Sequence, residues 1–268
     1  MTTVLTARST PVGARGALLV IEHLWTWYRR NWRATVVSSV LQPLLMLLAF
    51  GMAFGSLVRP SEVTGNVPYL VFLAPGLLAM AAVQIAASES SYPVLSGFKW
   101  SRIYHAMTAA PLSAAQLVGG QLGWIGLRML FSGAAYLAVI ALFGGVQGIG
   151  AIGSLVFAVL CGLSVSAPIV ALAATVDNEG TTFSAVFRFV ILPMTLFAGT
   201  FFPVSQLPAV VRPLAWISPL WHGTELTRGA ALGTLRLLPA VGHVAYLSAL
   251  LAIGAALAVW RFRRRLYP

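Results

Sequence analysis

Long stretches without a charged residue are the feature that most restricts how this chain can fold. No charged residue lies between Arg33 and Arg59, and over the whole chain 59% of the residues are hydrophobic and 9% are charged. A typical soluble domain has about 25% charged residues, and its core could not bury this much apolar surface. One helical crossing of a bilayer takes about 20 apolar residues. The 268 residues therefore predict an all-α integral membrane protein with six transmembrane helices.

Six apolar segments are candidates for these crossings. Pro111 suits the first turn of the third one, because proline is tolerated at a helix N-terminus, and the acidic turn that begins at Asp177 ends the fourth. The predicted spans are 34–57, 69–88, 112–143, 152–176, 182–202 and 237–260.

The segment 16–33, which precedes the first span, predicts an amphipathic helix on the membrane surface. Apolar residues recur at spacings of three and four, while arginines and other polar residues lie elsewhere on the helical wheel. Tryptophans suit the headgroup region and arginines suit anionic lipid. The segment is therefore either an interfacial anchor or a docking surface for a partner. Its apolar positions are Leu18, Ile21, Trp25, Tyr28 and Trp32.

The stretch 203–233 is apolar, but prolines interrupt it too often for a continuous helix. Non-helical backbone at membrane depth is tolerated only where protein or water satisfies its polar groups. We therefore predict a re-entrant extracellular helical hairpin between the fifth and sixth spans, lining a cavity. The interrupting residues are Pro203, Pro208, Pro213 and Pro219.

The positive residues predict the orientation of the chain. The net charge of +11 comes from short basic segments beside apolar runs, a topology signal rather than the continuous basic face of a nucleic-acid binder. The side with more positive charge is expected to be cytoplasmic, with both termini on it. Its residues are Arg8, Arg15, Arg29, Arg30, Arg33, Lys99, Arg102, Arg261, Arg263, Arg264 and Arg265, against Arg59, Arg212, Arg228 and Arg236 on the other.

Motifs for catalysis or nucleotide binding are missing from the sequence. The single lysine, Lys99, lies outside any glycine-rich loop that could cradle phosphates. If ATP powers this protein, another chain must bind the nucleotide and its Mg²⁺. The four histidines lie far apart in sequence and predict no metal site, and the lone cysteine, Cys161, predicts packing. We expect no cofactor in this chain.

Three ionisable residues lie in or beside the predicted spans. An unpaired charge at the bilayer centre costs about 2.5 kcal/mol or more. Glu89 and Arg188 lie near span ends, from which their side chains can reach water. Arg128 lies in the middle of the third span, and we predict that it faces the bundle interior or a subunit interface, with a carboxylate partner.

The order of these segments resembles the ABC-2 family of exporter permeases, and more narrowly its nodulation protein J type, with daunorubicin-type permeases as cousins. The most specific match is 192–208, with its FPV and QLP motifs, and the PLWH motif at 219–222 with Arg228 also fits. Weaker matches are the entry to the first span at 28–31, the start of the second span at 74–76, and Glu89.

This resemblance implies a dimer of membrane subunits, with a second copy or a paralogue, on two ATP-binding subunits. The segment 16–33 would be the interface helix and 97–109 the coupling helix that transmits nucleotide-driven motion. The residues implied in coupling are Trp25, Arg29, Arg30, Phe98, Lys99, Trp100 and Arg102. Those implied in the transport pathway or an interface are Glu89, Arg128, Arg188, Phe201, Phe202 and Pro203.

Two alternatives remain open from the sequence. A secondary transporter works without ATP and uses broken helices near the membrane midplane, often with inverted repeats. A membrane-embedded lipid-modifying enzyme would need clustered carboxylates or histidines, whereas the six acidic residues here are scattered. Neither composition nor spacing chooses among a drug, a lipo-oligosaccharide and a polysaccharide precursor as the exported substrate.

Overall fold

All regular secondary-structure elements in the described part of the chain are helices. The computed structural model describes residues 15–46, 48–49, 67–142, 144–145, 148–177 and 181–267. The helices are α1 (Arg15–Met46), α2 (Tyr69–Ser90), α3 (Tyr92–Lys99), α4 (Ile103–Met107), α5 (Ala114–Leu142), α6 (Gly150–Ala173), α7 (Thr181–Val186), α8 (Leu192–Phe197), α9 (Arg212–Ile217), α10 (Pro219–Ala231) and α11 (Leu237–Leu266). A π-helical turn, Phe187–Ile191, joins α7 to α8, and a 3₁₀ turn, Val204–Gln206, precedes α9.

Four helices among the described residues are long and apolar enough to cross a membrane. They correspond to the predicted second, third, fourth and sixth spans, and they lie within Tyr69–Lys99, Ala114–Leu142, Gly150–Ala173 and Leu237–Leu266. The first of these ranges comprises α2 and the short α3. The predicted fifth span, 182–202, coincides with the shorter apolar helix Thr181–Phe197. Most of the second half of the predicted first span, 34–57, lies outside the described residues.

Helix α6 occupies the centre of the bundle. It packs against α2, α5, α10 and α11, and its buried side chains belong to one continuous apolar core. Polar groups on α6 pair inside this core, as Ser166 Oγ does with Ser90 Oγ of α2 at 2.6 Å. Cys161 is completely buried, which confirms its predicted packing role.

Helix α1 packs along α5 through a face of small residues. A Cβ atom on Gly120 would lie 2.5 Å from Val20 Cβ and 2.8 Å from the carbonyl oxygen of Ala17, so glycine permits this close approach. The helix continues without a break from Arg15 to Met46. The predicted boundary at residue 33, between a surface helix and the first span, is therefore not a backbone break.

The segment predicted as one helix over 97–109 is divided in the structure. Helix α3 begins earlier, at Tyr92, and ends at Lys99, where Ser101 Oγ and the Ser101 amide both donate to the Ser96 carbonyl. Arg102 then adopts a left-handed conformation with φ of +50°, which an α-helix cannot contain. The resemblance implied one coupling helix over 97–109, whereas the structure has two helices separated by this turn. The coupling role of the segment stays a prediction.

The stretch 203–233 forms short helices, as its prolines predicted, whereas the re-entrant course of this hairpin stays a prediction. Both α9 and α10 have a proline in their first turn, where the missing amide removes no helical hydrogen bond. The chain reverses after α10 at Gly233, which has a φ of +67°, and α11 follows. We call this end of the bundle the hairpin end, and the end at which α11 carries Arg263, Arg264 and Arg265 the arginine end.

Candidate functional site

The α3–α4 segment is held at the arginine end by an aromatic cluster. The ring of Phe98 lies 4.7 Å from that of Tyr104 and 4.7 Å from that of Phe262 on α11, and the Tyr104 and Phe262 rings lie 5.2 Å apart. All three side chains are buried. Aromatic pairs in these tilted and edge-to-face geometries add about 1 kcal/mol each beyond their area burial. The cluster joins α3 and α4 rigidly to α11.

Charged side chains add a second connection at this end. Arg265 of α11 donates to the Ala174 carbonyl at 3.0 Å and to Asp177 Oδ1 at 3.1 Å, and its guanidinium lies 4.7 Å from the Phe98 ring. Lys99 Nζ donates to the Asp177 carbonyl at 3.1 Å. The end of α3, the loop after α6 and the end of α11 therefore meet at Asp177.

Tyr104 connects α4 to the third predicted span. Its hydroxyl donates to Gln121 Oε1 of α5 at 3.1 Å. Burial raises the pKa of Tyr104 well above its usual value, so the phenol stays protonated and remains a donor at any physiological pH. A displacement of α4 is thereby linked to α5 as well as to α11.

Among the residues predicted for coupling, one is buried in the internal packing and most of the others are exposed to a possible partner. Phe98 is 3% exposed, so its contribution is to the internal packing of α3 and not to a direct contact with a partner. Trp100 is 55% exposed, an unusual exposure for tryptophan, and Arg102 beside it is also exposed. On α1, Trp25 is 40% exposed, and Arg29 and Arg30 are exposed.

The charge predicted to face the bundle interior is paired. Arg128 of α5 is 6% exposed and forms an ion pair with Glu89 of α2 through Nη1 and Oε1. The Tyr28 ring of α1 lies 5.0 Å from the guanidinium. The interior position of Arg128 and its carboxylate partner are thus confirmed. The pair joins three helices at one point.

The other four residues predicted for the pathway, Arg188, Phe201, Phe202 and Pro203, come later in the sequence than this ion pair. Arg188 is exposed in the π-helical turn, and Phe202 is 38% exposed. Phe201 and Pro203 are half-buried, and the Phe201 carbonyl accepts from the Tyr69 hydroxyl at 3.0 Å. These aromatic residues therefore lie beside the start of α2.

Arg228 fixes the hairpin to the bundle, a role that the sequence prediction did not include. Its Nε donates to the Phe72 carbonyl at 3.2 Å, its Nη2 donates to the carbonyls of Gly199 at 2.9 Å and Thr200 at 3.3 Å, and its guanidinium lies 3.9 Å from the Phe72 ring. Three backbone carbonyls and one ring thus hold a buried cation. The available signals were its place in a mostly apolar segment and its match to the family pattern after the PLWH motif.

Two histidines also meet at the hairpin end, although 21 residues separate them. His222 Nδ1 lies 2.7 Å from His243 Nδ1 of α11, and His222 Nε2 lies 3.0 Å from the Trp216 carbonyl. A carbonyl can only accept, so Nε2 carries the proton of neutral His222 and Nδ1 accepts from His243. Burial, and secondly His243, lower the pKa of His222 to about 4.

Comparison with known sequences decides the family. The family model described as ABC-2 type transporter matches residues 17–232, most of the chain. This chain belongs to the ABC-2 type transporter family. Every candidate residue predicted from the sequence lies within the matched region, whereas Phe262 and Arg265 lie beyond it.

Similar proteins agree with this membership. Nodulation protein J of Rhizobium leguminosarum bv. trifolii is 30% identical over 249 residues, covering 89% of this chain and 92% of the relative. Nodulation protein J of Sinorhizobium fredii is 28% identical over 247 residues, covering 88% and 91%. The inner membrane transport permease YadH of Escherichia coli is 28% identical over 210 residues, covering 77% and 78%.

Membership defines the broad role of the chain. It is a membrane-integral transport permease of the ABC exporter type, and the family is not a catalytic one. Members of the ABC-2 family normally work with ATP-binding subunits.

Proposed function

We propose that this ABC-2 permease is the membrane subunit of an ATP-driven exporter in the plasma membrane. Two separate ATP-binding subunits bind ATP and Mg²⁺, and a second copy of this chain or a paralogue completes the membrane part. The substrate is amphipathic, of the drug, lipo-oligosaccharide or polysaccharide-precursor class, and moves out of the cytoplasm. Both termini are cytoplasmic, as the distribution of arginines favours.

The observation that carries this proposal is the construction of the arginine end. Trp100 and Arg102 are exposed on a segment whose buried side, Phe98 and Tyr104, contacts α11 and α5. A force applied by a partner at Trp100 therefore reaches two membrane helices without an intervening flexible link. This is the arrangement that a coupling element needs, because coupling requires a contact surface and a connection to elements that move.

We further propose six spans per chain. The fifth, Thr181–Phe197, has 17 residues and is about 25 Å long, slightly less than the hydrocarbon thickness of about 30 Å. Local bilayer thinning accommodates such a mismatch at modest cost. The first span would continue α1, and the prolines and buried Arg228 of the hairpin support a re-entrant segment between the fifth and sixth spans.

Transport would follow alternating access, in which ATP binding brings the partner subunits together and shifts the helix bundle between two states. The arginine end receives the motion. The Arg128–Glu89 pair, which joins α1, α2 and α5, keeps these helices together as they move. Phe201, Phe202 and Pro203 lie at the hairpin end, where substrate would leave.

Affinity purification in mild detergent, followed by mass spectrometry and an ATPase assay, tests this function. We expect a P-loop ATPase to co-purify with the chain. Trp100→Ala combined with Arg102→Asn should weaken the association by about thirtyfold, as expected for loss of one interface hot spot. Asparagine is chosen because it tolerates the left-handed conformation of residue 102.

The matched control is Trp216→Ala, because Trp216 is 51% exposed but lies at the hairpin end. It should leave the association unchanged. If membranes repeatedly yield the chain without any ATPase, the exporter proposal is wrong, and the ATP-independent secondary transporter takes its place.

A further inference from the structure

A cavity of about 590 Å³ lies at the hairpin end between α10 and α11. Its lining is mixed: Phe72, Leu232 and Leu235 are apolar, whereas Glu225, Arg228 and Arg236 are charged. The volume falls within the range of small-molecule sites, which combine an apolar lining with a few convergent polar groups. Phe72, Arg228 and His243, which make the contacts described above, also line it, but no binding role has been assigned to the cavity itself.

The hydrogen bonds of Arg228 show which of its N–H groups a ligand in the cavity could reach. Its Nε and Nη2 are committed to the carbonyls of Phe72, Gly199 and Thr200. Among the described residues, the partner of Nη1 is Glu225 Oε1 at 3.8 Å, too far for a hydrogen bond. A guanidinium carries five N–H donors, and within the described part of the chain the two on Nη1 form no hydrogen bond, which leaves them to a ligand.

The turn between α10 and α11 brings a second cation to the same cavity. The Thr234 amide donates to the Gly229 carbonyl at 2.9 Å, and Gly233 has a φ of +67°, a conformation that favours glycine. This reversal places Arg236, which is exposed, in the lining with Arg228. Two arginines against one glutamate leave the cavity with a net positive charge.

We propose that this cavity binds an anionic amphiphile, with a phosphate or carboxylate headgroup at Arg228 Nη1 and Arg236 and with aliphatic chains along Leu232 and Leu235. Arginine suits such headgroups because its planar fork matches their oxygens. The apolar part of the lining, which includes Leu232 and Leu235, favours an amphiphile over a small hydrated anion. The proposal requires only a membrane-embedded chain, so it does not rest on transport or on an ATPase partner.

Protection of an introduced thiol provides a site-specific test. Leu232→Cys places a thiol in the cavity lining, and native Cys161 is completely buried, so background labelling by N-ethylmaleimide is low. The probes are dioctanoyl phosphatidylglycerol, dioctanoyl phosphatidylcholine and inorganic phosphate, applied to the full chain in detergent. At a concentration about ten times its dissociation constant, phosphatidylglycerol should slow labelling about tenfold, and the other two should not.

Two charge variants distinguish ligand binding from a general structural disturbance, because they are expected to change the dissociation constant in opposite directions. In the Leu232→Cys background, Arg236→Gln should raise the dissociation constant about tenfold. Glu225→Gln removes the competing carboxylate and should lower it a few-fold. Arg264→Gln at the arginine end and a thiol at Leu257→Cys, which is 43% exposed, serve as controls and should show no effect.

Each outcome decides the proposal. Protection by phosphatidylglycerol alone, with the opposite responses of the Arg236 and Glu225 variants, supports an anionic amphiphile. Equal protection by phosphatidylcholine would show a site for aliphatic chains without charge recognition, and protection by inorganic phosphate would show a simple anion site. Either result overturns the proposal, as does the absence of any protection.

Discussion

At the scale of single residues, the Arg128–Glu89 pair is the most consequential contact within the bundle. Arg128 is 6% exposed and Glu89 is 19% exposed, so water solvates neither well. A buried pair contributes little net stability compared with a well-packed apolar pair, but breaking it leaves one charge without compensation. The position of Arg128 was predictable from its place in an apolar run, whereas its partner, 39 residues earlier, was not.

We predict that Arg128→Leu and Glu89→Leu each lower the free energy of unfolding by about 3 kcal/mol, because each leaves the other charge buried and unpaired. The double variant should lose much less free energy of unfolding than the two single variants lose together. Thermal unfolding in detergent measures all three, and Arg264→Leu at the exposed arginine end serves as the control. Additive losses in the double variant would show that the two residues act independently.

The His222–His243 contact should make the hairpin sensitive to acid. The pKa of His222 is lowered from an ordinary value of 6.5 to about 4, so the unfolded chain takes up this proton at a higher pH than the folded chain. Stability from this residue is therefore complete above pH 6.5 and decreases as the pH falls toward 4. A second proton would also place two N–H groups against each other.

We expect the unfolding midpoint of the unmodified chain to fall between pH 6.5 and 4, and to fall less in His222→Asn, which cannot take up the proton. The comparison is made in detergent, with His105→Asn as the control, because His105 is exposed at the other end of the bundle. Identical pH profiles for the unmodified chain and His222→Asn would contradict this expectation.

At the scale of elements, the contact between α1 and α5 depends on where glycine lies on α5. Gly120 faces Val20 so closely that a Cβ would require one helix to move, whereas a Cβ on the adjacent Gly119 would meet only Ala17 Cβ at 3.9 Å. Helical periodicity predicted that 16–33 has an apolar face. It could not predict that α5 would cover only part of this face, which leaves Leu18 62% exposed and Trp25 40% exposed, because the two helices are distant in sequence.

Alanine substitutions should therefore have opposite effects at these neighbouring positions. Alanine favours a helix over glycine by about 1 kcal/mol, so Gly119→Ala should be neutral or stabilising. Gly120→Ala should be destabilising by about 1–3 kcal/mol, the range for overpacking. Thermal unfolding of the two variants measures the difference, and equal behaviour would mean that α1 does not pack on α5 as described.

At the scale of the whole molecule, the two ends of the bundle differ in chemistry. The arginine end has exposed cations beside a rigid aromatic cluster, whereas the hairpin end has short helices, a histidine pair and a charged cavity. From the positive-inside rule we expect the arginine end to be cytoplasmic. The orientation and the fifth span can be tested together.

Introduced thiols should report opposite sides of the membrane. Thr181 and Ser205 are both exposed; Thr181 begins the helix Thr181–Phe197, and Ser205 follows its other end. If this helix crosses the membrane, a membrane-impermeant maleimide should label Ser205→Cys in intact cells and Thr181→Cys only after permeabilisation. The chain with Cys161 alone is the control and should remain unlabelled. Labelling of both thiols from the same side would show that the helix does not span.

The sequence by itself determined the class of the protein. The lengths of its apolar runs, the sites of its prolines and the distribution of its arginines predict a helical membrane protein with a broken segment near its end, because these properties depend on local composition and on the cost of burying charge in lipid. Residue order also carried the family resemblance, through the motifs of 192–208.

Only the tertiary structure decided which residues meet. Arg128 with Glu89, Arg228 with Phe72, and Arg265 with Asp177 are pairs from distant parts of the chain. Their contacts depend on how helices cross and on which faces pack together, and a pattern within one helix does not specify the face of another. The left-handed turn at Arg102 and the cavity between α10 and α11 follow from the same packing, so neither could be read from periodicity alone.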